Sequence, residues 1–407
     1  MRIILLHYSA PPVVGGVESV LARHARLLAD AGHAVTVIAG RGAPFDPRVA
    51  FAPLPEADSL DPGVLRVKAS LDRGIVPPDF APLAARLTAA LERLAAGADA
   101  LIAHNVCSLH KNLALTAAVH AWSADAPQAR LILWHHDLAW AAERYHPELH
   151  PGFPWELLLK PPADAVHVAV SGMRRGELAD LLGLPQKRIE VIPNGIDLAA
   201  FLKLEVRTQE LAGKLGLVSA APLLLLPVRL TPRKNVELAL HVLKALQAHF
   251  PAAAMVVTGP PGAHNPENLR YLERLQDLRA GLGLDGAAHF LTELCDRAPL
   301  PDAVIADLYR LADLLFLPSR EEGFGLPVLE AGLAGLPVFC ANLPPLRALA
   351  DGRAEFFSPD ANPVGLAGRI ARRLKADRRY RLRVDVRRNY SWERIYADHI
   401  APLLERK

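Results

Sequence analysis

Glu322 and Glu330 close the two ends of the run EGFGLPVLE, with seven residues between them. Carboxylates accept hydrogen bonds from hydroxyls and do not bind phosphate. Gly323 and Gly325 make a loop without side chains, and Pro327 falls where a helix takes its first turn. Such a loop offers backbone N–H groups and the positive end of a helix dipole, which suit an anion. A ligand with phosphate in its middle and sugar hydroxyls at both ends satisfies the carboxylates and the loop together. A nucleotide sugar has that form.

The elements that must hold these groups surround them in the sequence. Leu314 to Leu317 reads as a short buried strand stopped by Pro318 and Ser319. Gly335-Leu336-Pro337 closes the helix, and Val338 to Cys340 begins another strand. Strand, glycine loop, helix and strand put the loop at the carboxyl edge of a sheet, where open α/β folds bind phosphates. Upstream, Leu223 to Leu226 is a buried strand leading to Arg229 and Lys234, two cations that a proline turn lets converge on one anion. Ala253 to Thr258 is a strand ending in Gly259-Pro260-Pro261-Gly262, and Ala288 to Leu291 precedes Thr292-Glu293-Leu294.

The first half opens on a strand from Ile3 to His7, a loop ending in Gly15-Gly16, a helix from Val17 to Ala31 and a strand from Ala34 to Ala39. That is the first βαβ unit of a doubly wound domain. Residues 40–80, rich in Pro, Gly and Asp, read as an irregular excursion. Ala81 to Ala96 and Asn112 to Ala121 have helical character, and Ala100 to Ala103 is a short strand followed by Asn105 and Lys111. Arg130 to Trp134 delivers His135, His136 and Asp137 to a carboxyl edge. The loop 138–162 carries Trp140, Tyr145, Phe153 and Trp155. Their faces suit a sugar ring or an apolar acceptor, or else pack the loop onto its own domain. After Val166 to Val170 and Ile189 to Ile192, Pro193-Asn194-Gly195 is a strong turn.

The E-x7-E run within PSREEGFGLPVLEAGLAGLPV resembles the signature of the retaining glycosyltransferases of family 4. The resemblance extends to Pro-Asn-Gly-Ile-Asp at 193–197 and to the Arg229 to Lys234 stretch, and covers nearly the whole chain. It implies the GT-B fold: α/β, two doubly wound Rossmann-like domains facing a central cleft, with a C-terminal helix crossing back to the first domain. The expected boundaries are 1–197 for an acceptor-binding domain, 198–389 for a donor-binding domain, and 390–407 for the returning helix. In that family the first glutamate holds the donor hexose and the second the ribose, which implies those roles for Glu322 and Glu330. Arg229 and Lys234 are implied to grip the diphosphate, with Arg233 solvated. The loop and helix start, Gly323, Phe324, Gly325, Leu326 and Val328, complete the implied donor site, with Gly259 and Leu294 toward the base. His-His-Asp resembles the family's His-Asp or His-x-Asp element, so either His136 or His135 faces the donor sugar. Gly16 is implied to approach the donor phosphate. Gly15, Asn105, Lys111, Asp137, Trp140 and Tyr145 are the acceptor candidates.

These readings imply an enzyme moving a hexosyl group from a UDP- or GDP-sugar to a hydroxyl acceptor with retention. That acceptor is a small sugar, a sugar acid, a lipid-linked sugar or a glycan. Rival readings of the same architecture are a sugar-nucleotide epimerase, a glycosyl phosphorylase and a non-catalytic sugar-nucleotide binder. No two aspartates are spaced Asp-x-Asp, so no metal and no cofactor is expected. At 407 residues and 51% hydrophobic content, two domains with sizeable cores fit. A net charge of +3 implies neither a nucleic-acid nor a membrane field. Three cysteines, Cys107, Cys295 and Cys340, lack metal spacing and point to a reducing cytoplasm. The arginine-rich stretch from Arg369 to Arg388 reads as a solvated helix face, with peripheral contact to anionic lipid as the alternative.

Overall fold

The computed structural model describes residues 1–261, 267–294 and 300–406, which leaves Gly262 and Cys295 outside it. The chain divides into two compact units: Met1–Gly195 with Trp392–Lys407, and Ile196–Ser391.

Unit 1 holds seven strands: β1 (Arg2–Ser9), β2 (Ala34–Arg41), β3 (Val49–Pro53), β4 (Ala100–His104), β5 (Arg130–His135), β6 (Val166–Ala169) and β7 (Ile189–Val191). They lie in the order β3-β2-β1-β4-β5-β6-β7, and each neighbouring pair is parallel. A parallel strand covered on both faces is apolar throughout, and β1 shows why. Ile4 and Leu6 enter one core while Ile3 and Leu5 enter another. Burying each such side chain stabilises by roughly 1.5–3 kcal/mol. The last segment of unit 1, Trp392 to Glu405, buries Trp392, Ile395, Ile400, Leu403 and Leu404 in the core of Ile3 and Leu5. Arg130 donates to the carbonyls of Leu403 and Leu404 at 2.9 and 3.0 Å. A Cβ at Gly195 would meet the Trp392 ring at 2.6 Å, so that turn requires glycine.

The excursion expected over residues 40–80 is ordered instead. It contains β3, paired with β2 from Val35↔Val49 to Ala39↔Pro53, and a helix Pro62–Leu71. Asp61 caps that helix by accepting from Gly63 and Val64 N–H, Pro62 takes its first position, and Val64, Val67 and Leu71 are its buried stripe. The helix signal was present but short.

Unit 2 holds β8 (Leu223–Leu226), β9 (Ala254–Val257), β10 (Ala288–Phe290), β11 (Leu314–Leu317), β12 (Val338–Ala341) and β13 (Glu355–Phe357). Their order is β10-β9-β8-β11-β12-β13, again with parallel neighbours. In both units the order reverses beside the first strand, between β1 and β4 and between β8 and β11. Doubly wound sheets bind ligands at that reversal, at the carboxyl ends of the strands. Among the described residues no helix is long and apolar enough to cross a membrane.

Candidate functional site

The reversal in unit 2 brings two loops together, one after β8 and one after β11. Lys234 Nζ donates to Glu322 Oε1 at 2.6 Å, and Ser319 Oγ donates to the same oxygen at 2.7 Å. Both charged side chains are largely buried, 11% and 8% exposed, so the pair is held in place. Asn235, buried and at φ 54°, ties the loops by donating to the carbonyls of Pro318 (3.0 Å) and Pro359 (2.9 Å). Arg320 N–H adds a bond to Arg233 O at 2.8 Å. Arg233 itself is exposed, as is Arg229.

The helix Leu326–Ala334 begins beside this pair. Gly325 sits at φ +103°, and a Cβ there would press within 2.4 Å of Leu346 Cδ2, so only glycine suits the position. Val328 N–H is committed to Gly325 O at 2.9 Å, which removes it as an anion donor. The N–H groups of Gly323, Phe324, Gly325 and Leu326 have no acceptor among the described residues. Phe324 and Leu326 are mostly exposed, outside the core. One turn on, Glu330 is exposed and its Oε2 accepts from Tyr309 Oη at 2.5 Å. Burial and the Glu330 carboxylate push the Tyr309 phenol far up, so it remains a donor at any physiological pH. On the other flank, a Cβ at Gly259 would lie 2.3 Å from Val228 O and 2.7 Å from Arg229 Cα. Gly259 is therefore what lets the β9 loop lie against the Arg229 backbone. The buried hydroxyls of Thr231 and Thr292 have no partner among the described residues.

In unit 1, Gly15 is extended and Gly16 has open space where a Cβ would stand. The Glu18 carboxylate folds over Gly15; a Cβ would lie 2.0 Å from Glu18 Oε2, so a larger residue would push that carboxylate aside. That carboxylate accepts from Ser9 Oγ at 2.6 Å and lies 3.9 Å from His7 Nε2. His104 Nδ1 meets His136 Nε2 at 3.1 Å, and His135 Nε2 meets His167 Nδ1 at 3.1 Å.

Two family models match the chain in sequence: Glycosyltransferase Family 4 over residues 14–200 and Glycosyl transferases group 1 over residues 208–389. The chain belongs to the family 4 glycosyltransferases. Curated relatives include the D-inositol 3-phosphate glycosyltransferase of Frankia alni, 31% identical over 51% of this chain and 50% of that protein. The one of Geodermatophilus obscurus is 33% identical over 55% and 49%. The chain spans about half the length of the curated relatives it matches. Among solved structures, Anabaena Alr3699/HepE in complex with UDP and glucose aligns over 99% of both chains at 18% identity, with a TM-score of 0.36. The two Rossmann-like sheets place this glycosyltransferase in the GT-B class.

Unit 2 brings together most of the residues that the sequence suggested for a donor site. Lys234 and Glu322 touch, Glu330 lies a turn below the helix start, and Gly259 abuts Arg229. Leu294 does not join them; it is half-buried and lines a cleft with Val206, Arg207 and Leu211. Of the two histidines, His135 is 3% exposed and stacked on His167, so His136, half-buried, is the one a ligand can reach. Asn105 is also a correction as an acceptor contact. It is buried, and its Oδ1 already accepts from His136 and Asp137 N–H at 2.8 and 3.2 Å. Asp137 is half-buried 3.4 Å from Arg174. Trp140 and Tyr145 pack against their own unit's core, and Lys111 sits 4.7 Å from the Tyr145 ring centroid. Of the loop's other aromatics, Trp155 is buried in the same core, whereas Phe153 is half exposed with its ring edge-on to Phe80.

Asn235 and Tyr309 escaped the sequence reading. Asp72, His110 and Glu148 have ligand-type atoms within 4.8 Å of one another. Lys68 already supplies the cation there, 2.7 Å from Asp72 and 2.8 Å from Glu148, and the group reads as a salt-bridge network.

Proposed function

We propose that this glycosyltransferase moves a hexosyl group from a nucleoside diphosphate sugar to a hydroxyl acceptor, with retention and without a metal. The observation that carries this is the Lys234–Glu322 pair at the reversal point of the unit 2 sheet. An ammonium has three donors, so Lys234 keeps two for diphosphate oxygens after serving Glu322. Glu322 has Oε1 doubly engaged, leaving Oε2 to accept a hexose hydroxyl. Glu330 likewise has one oxygen held by Tyr309 and one for the ribose.

In the reaction the acceptor oxygen bonds to the anomeric carbon on the face from which the diphosphate leaves. The carbon–oxygen bond to the diphosphate breaks, and the departing phosphate oxygen takes the acceptor's proton. Arg229, Lys234 and the N–H groups of residues 323–326 stabilise the charge that develops on the leaving group. Glu322 orients the sugar and is no nucleophile. Unit 1 holds the acceptor, with His136 its reachable histidine. The relatives' name puts an inositol phosphate first among acceptors to assay.

Calorimetric titration with UDP and with GDP, both in EDTA, tests the donor site. Micromolar binding of one base is expected, and failure of both to bind overturns the phosphate reading. Glu322→Gln preserves an acceptor for Lys234 and should lower kcat by about 10²-fold or more. Wild-type turnover and donor affinity in that variant would sink the assigned role.

A further inference from the structure

The opposite edge of the unit 2 sheet carries a second concentration of charge. A cleft of about 300 Å³ opens where Gly335 to Pro337 enters β12, and it is lined by Arg353, Arg373, Arg379, Arg383, Asp313 and Asp377. Four guanidinium groups thus face two carboxylates; Asp377 is engaged, and Asp313 is engaged through Oδ2 while its buried Oδ1 lies 3.9 Å from Arg383 Nε without a hydrogen bond among the described residues. Asp313 Oδ2 accepts from Arg387, a buried arginine behind the cleft, at 2.6 Å, and from Leu223 N–H at 2.9 Å. Asp377 pairs with Arg373 at 2.9 Å and caps the helix Arg378–Asn389 through the N–H groups of Arg379 and Tyr380. Among the described residues Arg353 donates only to the Leu349 carbonyl, at 3.2 Å, and Arg379 pairs with no carboxylate.

The cleft is shaped around Arg379. A Cβ at Gly335, a helix cap at φ +66°, would lie 2.7 Å from its Nη2 and 3.2 Å from its Nη1, so the guanidinium lies directly against the glycine's backbone. Arg383 is driven below the usual arginine range by burial, with the neighbouring Arg387 and Arg379 charges also opposing its protonation although Asp313 favours it. Positive charge here is crowded and incompletely compensated. The two cations without a carboxylate, Arg353 and Arg379, match the charge of a phosphate dianion, and planar guanidinium forks suit its oxygens.

We infer that the cleft between the Gly335–Pro337 loop and the helix Arg378–Asn389 binds a small soluble phosphate-bearing anion, at a site distinct from the Lys234–Glu322 loops. The loops that hold Lys234 and Glu322 follow the carboxyl ends of β8 and β11, whereas this cleft borders the segments that enter β11 and β12. The inference does not depend on the donor reading.

The test is calorimetric titration with inorganic phosphate at 0.15 M salt, where diffuse attraction is screened. It compares the full chain, Lys234→Gln, and the double variant Arg353→Gln with Arg379→Gln. Both arginines are exposed, so the double variant should melt within a few degrees of the wild type in phosphate-free buffer. Saturable phosphate binding is expected to survive Lys234→Gln and to weaken at least about tenfold in the double variant, whose nucleotide affinity stays unchanged. Absence of saturable binding, or equal affinity in the double variant, overturns the site. Capture by vesicles containing phosphatidic acid, without any response to free phosphate, overturns the soluble ligand.

Discussion

Glu330 offers the sharpest contrast between what a residue type announces and what its neighbour does to it. Its carboxylate is exposed, yet one oxygen is fixed by the buried Tyr309 hydroxyl at 2.5 Å. A carboxylate with one oxygen pinned presents the other in a defined direction, which a freely rotating exposed side chain would not do. Tyr309→Phe removes that donor and leaves the ring's packing in place. If Glu330 holds the ribose, the variant should bind the preferred nucleotide several-fold more weakly, in keeping with about 1 kcal/mol for the hydrogen bond. Its 2′-deoxy analogue should lose less, so the ratio of the two dissociation constants falls. An equal loss for both nucleotides would reduce Tyr309 to a packing residue. Nothing in the sequence separates Tyr309 from an ordinary core aromatic, since it stands on a helix whose Val304, Leu308 and Leu311 are buried as well. The pairing that gives it a role joins two consecutive helices across 21 residues, on either side of β11.

At the scale of elements, the site depends on two loops being held in register, and Asn235 does that. It occupies the left-handed region at φ 54° and spends its amide on two carbonyls from other segments. Asn235→Gly keeps the backbone at ease but removes both bonds, whereas Asn235→Ala adds backbone strain. Stranding the buried carbonyls should cost about 2–3 kcal/mol in either variant, with alanine the worse by about 1 kcal/mol. Both should also weaken nucleotide binding, because Lys234 loses its anchorage; chemical denaturation and calorimetry on the same samples check the two effects. Unchanged affinity in a destabilised Asn235→Gly would show that the loops need no such tie. The same contrast explains which elements were legible. Runs such as Leu314 to Leu317 declare a buried parallel strand by composition, and Gly323 to Pro327 declare a loop and helix start. Between residues 40 and 80 the strand β3 joins the sheet at its edge as a five-residue run in which Val49 alone is fully buried, so Pro and Gly punctuation outweighed it. The helix Pro62–Leu71 shows only Asp61-Pro62 and three buried positions. His135 and His136 are indistinguishable by type, and only the pleat, which turns one into the sheet layers and leaves the other half-exposed, separates them.

Across the whole molecule, the burden of buried titratable groups is uneven. His24, His104, His135, His136 and His167 all lie in unit 1, and burial is the largest cause lowering each pKa, with neighbouring positive charge adding to it. His24 and His136 fall to about 3 and His167 to about 4. In unit 2, among the described residues, His289 is the histidine with a lowered pKa. A lowered pKa means that the unfolded chain binds the proton first. Stability is therefore intact above the unfolded value near 6.5 and is lost as pH drops below it, by up to about 1.4 kcal/mol per pH unit for each such group until the folded pKa is reached. The carboxylates Asp46 and Glu148, held down to about 2 chiefly by their bonds to Arg48 and Lys68, act lower on the scale and do not blur this window. Unit 1 should thus give way between about pH 6 and 4 before unit 2 does. The chain reports on this without modification, because all five tryptophans, Trp122, Trp134, Trp140, Trp155 and Trp392, belong to unit 1. Acid titration followed by tryptophan emission should show a red shift at a higher pH than the final loss of helical circular dichroism. Coincident transitions by the two probes would mean that the units unfold as one and that the histidines do not single out the first.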